Sequence, residues 1–117
     1  MPTLRELTEA IQKLSGVQAV VILGADGLLI ETHDTAQSHA EVIAARVPAV
    51  AMAATQLGDS AGLGIAGLVV LEFDRGYGVV LRLSDQVLLF VSASADVDLS
   101  ELLFDLRRHR SPMAALV

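Results

Sequence analysis

Val17-Gln-Ala-Val-Val-Ile-Leu-Gly-Ala-Asp-Gly-Leu-Leu-Ile-Glu31 is the stretch whose reading decides the fold. Two β-rich runs, Val17–Leu23 and Leu28–Thr32, are joined through Asp26-Gly27. An Asp-Gly pair between apolar runs is a strong hairpin signal, because the glycine supplies the positive φ that the tight turn demands. On the N-terminal side, Thr3-Leu-Arg-Glu6 has the spacing of a capping box. Leu4, Leu7, Ile11 and Leu14 then mark one helical face, and Gly16 is placed to stop that helix. On the C-terminal side a long alanine-dominated helix is predicted from Ser38 to about Leu57, followed by a loop over Gly58–Gly67. Three further strands follow, Leu68–Phe73, Val79–Leu83 and Val87–Ala93, turned at Asp74-Arg-Gly76 and Ser84-Asp85. A second capping box, Asp98-Leu-Ser-Glu101, opens a last helix that Ser111-Pro112 closes. Its Arg107, Arg108 and Arg110 suit a negative helix C-terminus. The order is α-β-β-α-β-β-β-α, which predicts a single domain over residues 1–117.

The composition narrows the class. With 53% hydrophobic residues and only 3% aromatic, the core must be built from Ala, Val, Leu and Ile, and disorder is excluded. So much apolar surface on 117 residues also implies that more than one face is covered. The net charge is −6, and no basic run or aromatic platform accompanies it, which argues against nucleic acid as a partner. The absence of cysteine excludes disulfides, thiolate catalysis and cysteine-type zinc sites. Met1-Pro-Thr-Leu-Arg-Glu6 begins a charged amphipathic segment without the apolar core of a signal peptide. The most apolar windows, Val42–Ala54 and Ala61–Leu71, are shorter than the ~20 residues of a membrane span, and Arg46 interrupts the first. The expectation is a cytoplasmic protein without membrane insertion.

The long helix is the informative element. At helical spacing Ile43, Val47, Val50, Ala54 and Leu57 form one stripe, predicted to face the sheet. The opposite face holds Glu41, Ala45, Pro48, Ala49, Met52 and Gln56, with Arg46 at its flank. A solvated face would be charged; this one is small and apolar, which points to a protein partner. Arg46 reads first as a side chain whose stem lies along the helix, and second as a partner contact. Pro48 predicts a kink or two abutting segments. Leu68-Val-Val-Leu71 is apolar on both faces in a strand that a meander commonly leaves at the sheet edge, and an open edge of that kind is resolved by pairing with its own copy.

Several motifs fail on context. Gly62-Leu-Gly64-Ile-Ala-Gly67 matches a dinucleotide fingerprint, but a helix precedes it and a strand follows, the reverse of what phosphate binding needs. Gly58-Asp-Ser60-Ala-Gly62 matches a nucleophile elbow in the same reversed context. Asp96-Val-Asp98 begins like a calcium loop, but Glu101 stands where glycine is required and Arg107 where the bidentate Glu belongs. His33, His39 and His109 lack zinc-site spacing. The prediction is no catalytic residue, no metal and no cofactor.

Taken together, the 17–31 hairpin, the Ala-rich helix from Glu41 to Leu57 and Leu68–Phe73 leading into the meander resemble the roadblock family. This is the dynein light-chain type, which includes bacterial activators of gliding-motility GTPases, and the likeness spans Thr3 to about His109. The resemblance implies an α/β sandwich, profilin-like in outline. A five-stranded antiparallel sheet has the long helix on one face and the terminal helices on the other. It also implies a homodimer in which third strands (Leu68, Val69, Val70, Leu71) pair and long helices lie side by side. It implies further that the helix-pair face binds a Ras-like small GTPase. The leading function is a non-enzymatic regulator of that GTPase's nucleotide state. A structural adaptor of a larger complex is the alternative, and a serine hydrolase through Ser60 a weak third. The only arginine near a loop tip is Arg75, in a tight turn, so a regulator of this kind would press the GTPase's own residues into place rather than lend an arginine.

Overall fold

The computed structural model describes residues 2–34 and 39–117. Helix α1 (Leu4–Gln12) opens on both arms of the expected box: the Glu6 amide donates to Thr3 Oγ1 at 3.1 Å, and the Thr3 amide to Glu6 Oε1 at 3.3 Å. It ends at Gln12, four residues before Gly16, so Leu14 leaves the helical spacing and packs beside the core as part of the turn. Strands β1 (Val17–Gly24) and β2 (Leu29–Asp34) form the predicted hairpin, and Gly27 takes φ +91° at its turn. After helix α2 (Ala40–Ser60) come β3 (Leu68–Phe73), β4 (Gly76–Arg82) and β5 (Val87–Ser94), then helix α3 (Leu99–Ala114).

The strands make one antiparallel sheet in the order β2-β1-β5-β4-β3. The first strand of the chain therefore sits inside, hydrogen-bonded on both sides, and β2 and β3 are the edges. Alternation along the strands divides the core into two layers. Val20, Ile22, Val79, Leu81, Leu89 and Val91 pack with Ile11 of α1 and Leu102, Leu106 and Met113 of α3. Val21, Leu23, Val80 and Leu88 pack with Ala40, Ala44, Val47 and Ala51 of α2. Each fully buried aliphatic side chain contributes about 1.5–3 kcal/mol, which is how a chain with four aromatics secures its fold. The sandwich expected from the resemblance is the one observed.

Two expectations about the helices are corrected and a third is narrowed. The sheet-facing stripe of α2 is Ala40, Ala44, Val47 and Ala51, with Ile43 and Val50 half-buried beside it. Leu57, predicted to be core, is 71% exposed. Alanines at the contact bring the helix axis close to the sheet, and larger side chains then fit only at its flanks. The helix also runs without interruption through Pro48, where two segments were one possibility. Finally, α3 continues through Pro112 to Ala114, because Met113 is fully buried against α1 and the sheet and holds the last turn. By length and composition alone α2 could cross a bilayer. In the fold its inner face is committed to the sheet, and Glu41, Arg46 and Asp59 punctuate the outer one.

Candidate partner interface

The predicted outer face of α2 exists as a surface. Glu41, Ala45, Arg46, Ala49, Met52 and Gln56 are exposed and Pro48 is half-buried. Met52 stands out, 62% exposed in the middle of a well-packed helix. Pro48, Met52 and Gln56 are spaced by four and form a single ridge. With Ala51, Thr55, Ala25, Leu88 and Arg82 they enclose a groove of about 260 Å³. Arg46 lies six residues from Met52, about 120° around the helix, so it stands apart from the ridge, beyond Ala49. Among the described residues the ion pairs are Arg5–Glu9 and Arg108–Asp105, and neither involves this face.

Ala25, Arg82 and Leu88 escaped the sequence reading because they come from a turn and two strands that only the sheet brings beside α2. Arg82 did leave a signal, as the single cation ending the apolar run Gly78–Leu81. Its Nε donates to the Ala66 carbonyl at 3.3 Å, and the Ala66 amide donates to Thr55 Oγ1 at 3.2 Å. The groove wall and the loop after α2 are therefore tied together.

The second predicted surface, Leu68, Val69, Val70 and Leu71, is half-buried on β3 at one edge of the sheet. The two edges differ. On β2 the Glu31 carboxylate accepts the Thr32 amide at 3.3 Å, so the strand covers part of its own backbone. On β3 the first charged side chain is Glu72, after four apolar ones. Above that edge lies an apolar group that the sequence reading missed: Leu57, Leu63 and Ile65, bordering a groove of about 380 Å³ with Ala54 and Val69. Their signal was present, in large aliphatic residues set between Gly62, Gly64 and Gly67.

The glycine motifs have structural uses. Gly58 is where the loop folds back over the end of α2: the Leu63 amide donates to its carbonyl at 2.7 Å, and a side chain there would strike the Gly64 carbonyl. Ser60 is the exposed last residue of α2. His39 precedes α2 without capping it through its side chain, and His109 Nδ1 lies 2.8 Å from the Asp105 carbonyl within α3. Among the described residues no group of three or more His, Asp or Glu is arranged to hold a metal.

Comparison with known proteins agrees with this architecture. No curated protein sequence gives a significant match. A roadblock/LC7 domain from Streptomyces avermitilis superposes with a TM-score of 0.85 at 21% identity, covering 95% of this chain and 94% of that one. Myxococcus xanthus MglB superposes with a TM-score of 0.89 at 13% identity, over 97% of this chain and 93% of that one. The gliding protein MglB from Thermus thermophilus gives 0.87 at 15% identity, over 97% and 87%. At these identities the likeness is one of fold. The sequence pattern of the Roadblock/LC7 domain matches residues 3–93, from the cap of α1 to Ala93 in β5, and the chain belongs to the Roadblock/LC7 domain family.

Proposed function

We propose that the chain is a non-enzymatic, cytoplasmic homodimer that binds a Ras-like small GTPase through the outer face of α2 and changes its nucleotide state. The observation that carries this reading is the Pro48–Met52–Gln56 ridge, an apolar protrusion beside a groove on a helix whose other face is already committed to the sheet. A desolvated contact centred on an exposed methionine suits a protein surface, since the flexible thioether adapts to varied partners. Family membership and the implications of the resemblance support a GTPase as that protein. The homodimer is supported by the unguarded β3 edge.

GTP hydrolysis needs a positioned water and charge stabilisation at the γ-phosphate. Arg75 occupies a two-residue turn between β3 and β4, too short to extend into another protein's active site. The regulatory route is therefore contact with the GTPase's own mobile segments. The test is direct: the purified chain is added to the Ras-like small GTPase of its own cell, and binding, GTP hydrolysis and nucleotide release are measured. A changed rate supports the regulator. Tight binding with both rates unchanged replaces it with the adaptor, and no binding in either nucleotide state removes the GTPase.

A further inference from the structure

Strand β3 offers its outer edge in a fixed phase. The Arg82 amide donates to the Gly67 carbonyl at 2.9 Å, and the ladder continues through Val69↔Val80, Leu71↔Gly78 and Phe73↔Gly76. Hydrogen-bonded and non-hydrogen-bonded positions alternate along an antiparallel pair. The odd-numbered residues therefore spend their backbone groups on β4, and those of Leu68, Val70 and Glu72 point away from the sheet.

A second copy can meet these groups through a twofold axis, and the register is then determined. With Val70 opposite Val70, Leu68 faces Glu72 and every outward group finds an outward partner. Slipping by two residues one way sets Glu72 against Ala66, whose amide and carbonyl already bind Thr55 and Arg82. Slipping the other way sets Leu68 against Asp74 in the turn.

In the matched register Phe73 of the second copy comes opposite Gly67. It does so on the α2 side, because Phe73 shares the space above Gly78 with Phe90, and Phe90 packs with the α2 layer. That position adjoins the 380 Å³ groove of Ala54, Leu57, Leu63, Ile65 and Val69. Phe73 is 57% exposed, and Leu63 and Ile65 are 81% and 67% exposed. The groove also cannot easily yield, since the Arg110 guanidinium and the Thr55 hydroxyl hold the loop at Gly67 and Ala66.

The Asp74–Arg75 turn of the second copy brings one charge of each sign to the C-terminal end of α2, where Asp59 stands, and so adds no net charge there. Apolar area carries the fit. An aromatic ring buries about 150–250 Å² when covered, and Leu57, Leu63 and Ile65, at 71%, 81% and 67% exposure, add to the Phe73 rings from both copies. A stable interface buries roughly 1,200–2,000 Å² in all.

We infer that each copy seats its Phe73 in the Leu57–Leu63–Ile65 groove of the other, with the β3 strands paired about Val70. This rests on the homodimer proposed above and adds its register and its anchor residue. The chain has no cysteine, so single-cysteine variants of the full chain report the register without background. Val70→Cys puts two thiols on directly opposed residues about 5.5 Å apart between Cα atoms, and mild oxidation is expected to give a covalent dimer. Val69→Cys places them on a diagonal at about 7–8 Å, and it is expected to stay uncrosslinked. Phe73→Ala and, separately, Leu63→Ser are expected to raise the dimer dissociation constant at least tenfold in sedimentation. Phe104→Ala, exposed on α3, should leave it unchanged. A dimer that crosslinks through Val69→Cys but not Val70→Cys, or that is indifferent to both Phe73→Ala and Leu63→Ser, overturns this inference and leaves the homodimer standing. A wild-type monomer at tens of micromolar overturns both.

Discussion

Arg110, three turns into α3, donates from its guanidinium to the Gly67 carbonyl at 2.9 Å, across 43 residues of sequence. Its Nε donates to the Arg82 carbonyl at 3.1 Å. One planar side chain thus clamps the start of β3 to the end of β4, and the terminal helix fixes the base of the loop that bears Leu63 and Ile65. The terminal-helix layer and the β3 edge are mechanically one unit at this point.

Replacing Arg110 with Ala should therefore lower stability by about 1–3 kcal/mol, the range for half-buried hydrogen bonds from a charged donor. The urea midpoint should fall with the slope unchanged. Arg110→Lys should recover only part of the loss, because a single ammonium lacks the fork that spans both carbonyls. Arg107→Ala, exposed on the same helix, should stay within about 0.5 kcal/mol of wild type.

The clamp also shows where sequence reading stops. Arg107, Arg108 and Arg110 looked like one group answering the end of α3, but the helix runs on to Ala114 and its last turn holds no basic residue. Arg108 pairs with Asp105, while Arg110 turns to the sheet. No local period encodes a contact 43 residues away. The hairpin around Asp26-Gly27, the order of elements and the edge position of β3 were legible because each follows from alternation, turn chemistry or the resemblance. Leu57 was misplaced for a different reason: a regular wheel assigns large residues to the core, whereas here the alanines decide how closely α2 approaches the sheet. The Pro48–Met52–Gln56 ridge was legible; its wall of Ala25, Arg82 and Leu88 was not.

Pro48→Ala should stabilise the chain. A proline inside a helix removes one backbone hydrogen bond and crowds the preceding turn, at about 3 kcal/mol. The proline also stiffens the unfolded chain, which offsets about 0.4–1 kcal/mol. The observed helix is continuous from Ala40 to Ser60, so alanine fits without rearrangement. A gain of about 2 kcal/mol is expected in thermal or urea unfolding.

Gly58→Ala should do the opposite, despite a helix-propensity gain of about 1 kcal/mol. The added carbon meets the Gly64 carbonyl, which is backbone and cannot swing aside, so the whole loop must shift. A net loss of about 1–3 kcal/mol is expected. Ser60→Ala, two residues on and exposed, should change stability by less than about 0.5 kcal/mol. An esterase activity lost on Ser60→Ala would instead restore the hydrolase reading.

The partner face is tested by Met52→Asp. Met52 is 62% exposed and belongs to the ridge that borders Ala25 and Leu88, whereas the groove proposed for Phe73 lies at Leu57, Leu63 and Ile65. The substitution should therefore leave both fold and dimer mass unchanged, and light scattering on the same sample checks this. In a complex the new carboxylate would be desolvated without a partner, which costs a few kcal/mol. Binding to the GTP-loaded small GTPase should weaken well over tenfold, since about 1.4 kcal/mol is one decade. Leu4→Ala, against the opposite layer, is the control: it should lower stability while leaving the affinity of the folded fraction unaltered. If the Met52→Asp dimer binds the GTPase at full strength, the α2 ridge is the wrong site. The exposed Arg107 and Arg108 of α3 would then be the next surface to change.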